Sequence, residues 1–363
     1  MKTTARYILL LLACLPVLLS AQQIDTTASQ LDEVIVTATR NERTMGALPM
    51  PVSLISQTQI KTMGSLRLND VLTEQTGLVV VPQINAQGNG IQVQGFNPDY
   101  TLILIDGEPI IGRYTGSLEL SRVTVGNIKQ IEIVKGPSSS LYGSDALAGV
   151  INIITNRPRG MRGNASIRYG TNNTLDLTGD VSMTSKKFGI YVFGNRYSTD
   201  GYDLSPENFG KTVSPFYNYT FNSKITYKFS PKTDFSISGR HFNETQRFNF
   251  EVITASNDYV RTFGDGTTKD WNLNPVLTHK FSNQLKTTAR FYTTNYETTT
   301  VLNQETDGSV YYTDDFKQRF MRPEVNAEYF FNAKNITTLG AGKIWEAVQT
   351  SRYGDEVERK QQT

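Results

Sequence analysis

After Arg162 the chain alternates between apolar and polar positions. In residues 217–229 the odd positions are Tyr217, Tyr219, Phe221, Ser223, Ile225, Tyr227 and Phe229; the even ones are Asn218, Thr220, Asn222, Lys224, Thr226 and Lys228. Leu175, Leu177, Val181 and Met183 alternate in the same way with Asp176, Thr178, Asp180 and Ser182. So do Leu285, Ala289 and Phe291 with Lys286, Thr288 and Arg290, and Val325, Ala327, Tyr329 and Phe331 with Glu324, Asn326 and Glu328. Period two marks strands with one apolar and one polar face. Many runs exceed the ~9–11 residues a strand needs to cross a bilayer. Tyr and Phe gather near the strand ends, where aromatic girdles belong. Short connections at 184–187, 230–232, 282–284 and 332–335 alternate with long polar ones at 199–215, 247–268 and 301–315. Tight turns at one rim and long loops at the other predict a membrane barrel. A secreted β-sandwich would use shorter strands. About nine strands fit between residues 163 and 350, against about 22 for a lumen that holds a plug. Residues 159–363 therefore read as the front part of a barrel, in a longer protein or a truncated product.

Upstream the pattern is mixed. Residues 52–55 predict a strand, and Ser56 begins a helix carrying Ile60 and Met63. A second helix is expected over 65–75, with Leu68, Val71 and Leu72 on one face and Gly77 as its stop. Strands follow at 78–81, 91–94 and 101–105, the last closing on an Asp106-Gly107 turn. A short helix is expected at 125–128 and a strand at 129–134. This α+β content in residues 51–158 is enough for a small core. Ahead of it, residues 22–31 are polar and small, and residues 32–40 (DEVIVTATR) are β-branched and extended-prone. That short strand has no neighbour in sequence to pair with. It suits either addition to a partner's sheet or the role of first strand in the next domain.

The first 21 residues change the composition. Lys2 and Arg6, an apolar run to Leu19 and a small-residue exit at Ala21 read as a secretory signal peptide, too short to span a bilayer. Its removal takes away Cys14, the only cysteine of the 363 residues. It also brings the basic residues level with the 34 acidic ones. A near-neutral mature chain gives no argument for nucleic acid as a partner. No later segment offers a long apolar helix, so any membrane span must be β-strand.

Candidate chemistry centres on KGPSSSLYGSDALAGVINIIT, residues 135–155. It lacks the Lys-Ser/Thr ending of a phosphate-binding loop, and the chain contains no G-x-S-x-G elbow. The two histidines, His241 and His279, fall in predicted strands. No catalytic constellation and no metal-ligand set is visible, so an enzyme is not expected.

The residues do resemble those of TonB-dependent outer-membrane receptors. Asp32, Glu33, Val34, Ile35, Val36, Thr37 and Ala38 are similar to a TonB box. Asp106 and Gly107 resemble the exit of the central plug strand. Lys135, Gly136 and Pro137, followed by Tyr142 and Gly143, resemble the late plug signature, and Gly149 with Asn152 its final strand. The sequence departs from the family at Gln94-Gly95, where an arginine often precedes the glycine, so an arginine contact from plug to wall is expected to be missing. The resemblance implies a plug at 51–158, and a periplasmic tether at 22–50. It implies no cofactor of the protein's own. The cargo would be a ferric siderophore, haem or cobalamin. The partners would be TonB and outer-membrane lipid, with the receptor a monomer. Outward plug apices would meet the cargo at Asn85, Gln87 and Asn89, and at Arg113, Tyr114 and Thr115. The alternative is a truncated, non-transporting binding fragment of such a receptor.

Overall fold

The computed structural model describes residues 35–36, 43–44, 51–82, 89–114, 117–136, 144–254, 256–332, 335–351 and 357–362. The chain divides into two units, residues 1–35 and 36–363, and Ile35 alone of the first is described. Two short strands, Ile35–Val36 (β1) and Arg43–Thr44 (β2), pair with each other. The expected lone strand therefore has a local neighbour, although two rungs make a weak sheet.

The mixed domain begins with Val52–Ser56 (β3). Ser56 caps Gln57–Met63 (α1) in a reciprocal box with Gln59, and Gly64 closes the helix in the left-handed conformation. The second helix, Leu68–Thr73 (α2), is shorter than its apolar periodicity predicts. Arg67 is held extended in an isolated bridge to Thr124, and the Asp70 carboxylate accepts from the Leu66 and Arg67 amides, so the helix cannot start earlier. Leu78–Pro82 (β4) pairs with Asn89–Val93 (β5). Next come Thr101–Ile105 (β6), Glu108–Pro109 (β7), and a hairpin of Arg113–Tyr114 (β8) with Ser117–Leu118 (β9). Ile128–Lys135 (β10) and Gly149–Thr155 (β11) complete a sheet in the order β3-β10-β11-β6-β7. The helix expected at 125–128 is a turn. Gly126 lies so close to the Phe193 ring that a Cβ there would be 2.8 Å from it.

Apolar residues cover both faces of this sheet. Ile103, Ile131, Ile133, Ile151 and Ile153 pack with Ile60, Leu68 and Leu72 of the helices. Leu102, Leu104, Val134 and Val150 pack on the other side with Val52 and Ala146. Burial on both faces explains why β11 reads as a continuous apolar run. It occupies the middle of the sheet, a place the sequence assigned to β6. Gly149 is required because a Cβ would lie 2.4 Å from the Val134 carbonyl oxygen.

The remaining strands form one antiparallel sheet of eleven. They are Arg162–Gly170 (β12), Thr174–Thr184 (β13), Phe188–Thr199 (β14), Phe216–Ser230 (β15), Thr233–Ile253 (β16), Tyr259–Lys280 (β17), Leu285–Gln304 (β18), Val310–Phe330 (β19), Ile336–Gly342 (β20), Trp345–Thr350 (β21) and Val357–Gln362 (β22). β20 and β21 pair with successive parts of β19 and act as one interrupted strand, which reconciles eleven segments with the about nine read up to residue 350. The connections expected at 247–268 and 301–315 are mostly strand. β16 pairs with β17 out to Ile253 and Tyr259, and β18 with β19 out to Asn303 and Val310. Ladder hydrogen bonds need only backbone, so polar residues there extend hairpins beyond the membrane span instead of forming loops.

The faces are inverted relative to a soluble protein. Tyr217, Tyr219 and Phe221 are about half exposed, while their neighbours Asn218 and Thr220 are buried. Leu177, Val181 and Met183 are exposed and Asp176 and Ser182 buried. An outer apolar face with a polar interior is what a bilayer selects. Near the short turns the rings of Tyr227–Phe229, His279–Phe281 and Tyr329–Phe331 pair at 4.9, 4.5 and 4.8 Å. Tyr219, Trp271 and Met321 lie about ten residues earlier on the same strands, roughly the span of a tilted membrane strand.

Candidate functional site at the plug–wall interface

The polar face of the large sheet receives the mixed domain. Arg122, 2 % exposed, donates to Asp270 Oδ2 at 3.0 Å, to the Ile111 carbonyl at 2.8 Å and, through Nε, to the Glu119 carbonyl at 3.1 Å. Arg240 of β16 donates to the same Asp270 oxygen at 2.5 Å and to the Arg122 carbonyl at 2.8 Å. One wall carboxylate thus serves two guanidinium groups, one from each domain. The Arg122 guanidinium also lies 4.6 Å from the Tyr296 ring centroid.

Glu108 reverses the polarity. This plug carboxylate is buried, accepts from Arg322 Nη2 at 2.5 Å and forms an ion pair with Arg290 at 3.0 Å. Asp106 makes the third cluster. It accepts from Lys224 Nζ at 2.8 Å, from the Thr155 hydroxyl at 2.6 Å and from the Thr155 amide at 3.0 Å. Burial works against its ionisation, but the Lys224 ammonium and the Thr155 donors outweigh that and hold the carboxyl below its usual range. Arg67 reaches Asn195 and Asn218 of the wall at 3.0 and 3.3 Å and stacks 4.2 Å from the Tyr197 ring centroid. These asparagines are in turn held by Asp176 and Glu244. Among the described residues, apolar contact includes the approach of Gly126 to the Phe193 ring and a patch where Ile111 meets Tyr292, Tyr296 and Phe320. Gly112 fits there only because it lacks a side chain; a Cβ would sit 2.5 Å from the Tyr296 ring.

The expected missing arginine contact is therefore supplied from elsewhere. Gln94 is exposed with φ +54°, while Arg67 and Arg122 do the work of anchoring the plug. A lone arginine in the apolar stretches SLRL and LSRV was the available signal. The plug signature has structural roles. Asp106 (φ +51°) and Gly107 (φ +82°) form the tight turn, and the Gly107 amide donates to Asn152 Oδ1 at 3.0 Å. Asn152 also donates to Glu132 at 3.2 Å, and Lys135 Nζ donates to the Thr76 carbonyl at 2.7 Å. Gly136 takes φ +105°. Pro137, Tyr142 and Gly143 lie outside the described residues.

The cargo candidates are placed unevenly. Asn85, Gln87 and Thr115 lie outside the described residues; Asn89 opens β5 and Tyr114 ends β8. Arg113 spends Nη1 and Nη2 on the carbonyls of Pro98 and Thr101 at 3.2 and 2.8 Å, so it ties its hairpin to the turn at 98–100 and the start of β6. Of the box residues, Asp32, Glu33, Val34, Thr37 and Ala38 also lie outside the described residues; Ile35 and Val36 are extended. His241 is exposed on the outer face, opposite Phe221 and Trp271. His279 sits near a short turn, its Nδ1 2.9 Å from the Thr233 hydroxyl.

A small mixed domain held by ionic clusters on the polar face of a membrane-type sheet is a plug seated in a β-barrel wall. Residues 45–150 match the model of the TonB-dependent Receptor Plug Domain. The vitamin B12 transporter BtuB of Vibrio vulnificus is 29 % identical over 257 residues, 66 % of this chain and 41 % of that protein. The siderophore receptor PiuA of Acinetobacter baumannii superposes with a TM-score of 0.65 at 14 % identity, over 86 % of this chain and 52 % of that one. The ferripyoverdine receptor of the outer membrane of Pseudomonas aeruginosa gives 0.56 at 12 % identity, over 91 % and 55 %. Residues 45–150 thus match that plug family, and plug and sheet together have the fold of the receptors on which they superpose. The chain spans about half the length of the proteins it matches.

Proposed function

We propose that the chain forms the plug and first barrel strands of an outer-membrane transporter that imports cobalamin or a ferric siderophore. TonB acts from the periplasmic side. It adds the segment 32–38 to its own sheet as a strand and pulls on the plug. The observation that carries this reading is the character of the plug–wall interface. It is largely ionic and hydrogen-bonded, so its groups can exchange partners with water when force is applied. A continuous apolar interface would resist separation.

The relatives' names support the cargo class, and haem is the weakest candidate because neither histidine faces the plug. Residues 85–89 and the 113–115 apex are the proposed contacts, with Asn85, Gln87, Asn89, Tyr114 and Thr115 nearest the solute and Arg113 bracing. No bond of the cargo is broken, so this is transport without catalysis. Proline at Val36 removes a ladder donor. In cells expressing Val36→Pro, uptake of labelled cobalamin or ferric siderophore is expected to fall to background while surface binding persists. Loss of both together would count against the box and against this reading.

A further inference from the structure

We infer that the Asp106–Glu108 turn is the moving gate of the plug, and that the solute passes it along a strip of neutral amide and hydroxyl side chains on β15–β17. This deepens the transport reading and rests on it. Both acids sit on one tight turn, with only Gly107 between them. Asp106 reaches Lys224 of β15 at 2.8 Å, while Glu108 reaches Arg290 of β18 and Arg322 of β19 at 3.0 and 2.5 Å. The turn is therefore tied at both ends and crosses the wall strands β16 and β17 between them. Withdrawing this one turn breaks both ionic clusters together, a short-segment displacement of the kind that gates other sites.

What the turn covers is the second observation. Between the two clusters the wall presents Asn222, Ser238, Asn272 and Asn274, which share two neighbouring rungs with Lys224 and Arg240. These four line a cavity of about 30 Å³ against Asp106 and Glu108, above the ~10–15 Å³ that one water needs. Asn274 is 7 % exposed, and its Oδ1 has no hydrogen-bond partner among the described residues. A buried acceptor left so costs free energy until a donor reaches it. The ladder is interrupted at the same place. β17 and β18 pair at Leu273–Thr293 and again at Val276–Arg290, with no rung at Asn274 or at Pro275, which has no N–H to donate. The plug is thus held at the two sides of this strip and stands off its middle. Amide and hydroxyl groups hydrogen-bond in both senses without the strength of a charged contact, so they pass a solute on instead of trapping it. The solute that fits is one rich in amide, hydroxyl or carbonyl groups.

The test follows single introduced thiols in cells making the full-length protein. Cys14 is the only cysteine of the 363 residues, and the unsubstituted protein serves as the blank. Asn274→Cys should react with a charged, membrane-impermeant maleimide only when labelled cobalamin or ferric siderophore, TonB and the proton-motive force are all present. The adduct should then block further uptake. Thr178→Cys, on β13 where the wall packs against Gly126, should stay protected throughout. Ser238→Cys gives the same reading should Asn274→Cys fail to assemble. Labelling of Thr178→Cys in step with Asn274→Cys would mean that the whole plug leaves the wall. Protection of Asn274→Cys during active uptake would put the passage elsewhere. Either result overturns the gate while leaving energised transport intact. Uptake by the unsubstituted protein without the force would sink the transport reading, and the gate with it.

Discussion

Replacing Asp270 by Ala is expected to loosen the plug by about 3–5 kcal/mol, the cost of leaving buried partners without their counter-charge. Arg122 and Arg240 share this carboxylate at 3.0 and 2.5 Å, and all three side chains are at most 5 % exposed. Without it, two guanidinium groups face each other across the interface. Their remaining acceptors are the backbone carbonyls of Ile111, Glu119 and Arg122, which neutralise no charge. Hydrogen exchange should quicken in residues 111–128, and cells should admit a large polar antibiotic that the native protein excludes. The triple variant Arg122→Met, Asp270→Leu, Arg240→Met separates charge from shape. Replacing a whole buried ion group by apolar side chains is often near neutral, so much of the exchange protection should return. Native-like protection in Asp270→Ala alone would show that the cluster does not hold the plug.

Removing Glu108 is the second large change. It is a plug acid that meets the wall arginines Arg322 and Arg290, with 2 % of its side chain exposed. Arg322 has a further acid, Glu324, at 3.6 Å. Glu108→Ala should therefore cost less than Asp270→Ala, about 2–4 kcal/mol, and act on a different segment. Exchange should quicken in residues 101–111, which carry β6, its turn and β7. In a double-mutant cycle with Arg322→Met, the pair should couple by about 1–3 kcal/mol. Additive effects would mean that the contact contributes nothing beyond packing.

Much of this was legible in the sequence, for identifiable reasons. Strict alternation in residues 217–229 gave both the strand and its inverted faces, because period two leaves one choice of side. Asp106-Gly107 and Gly149 were legible because the backbone there tolerates little else. The ends of the hairpins were not. Residues 247–253 (RFNFEVI) and 301–304 (VLNQ) carry apolar residues but run straight into the polar stretches 254–258 and 305–309, so the sequence does not mark where each ladder ends. The seat of the plug was also hidden. Arg67 to Asn195, Arg122 to Asp270 and Glu108 to Arg322 join residues 128, 148 and 214 positions apart. Nothing local in a sequence says which inward side chain meets which plug residue. The shortened second helix follows from the same cause, since Arg67 is drawn out of helical geometry by a bridge to Thr124.

The central claim is that a plug held by ionic clusters is opened by energy delivered from the periplasm. Its most direct test is a paired measurement in cells making the full-length protein. Surface binding and internal accumulation of labelled cobalamin and ferric siderophore are followed before and after collapse of the proton-motive force. Unchanged binding with accumulation reduced to background, and the same pattern in cells lacking TonB, is the predicted result. Accumulation that continues at its original rate without the force or without TonB would contradict the account.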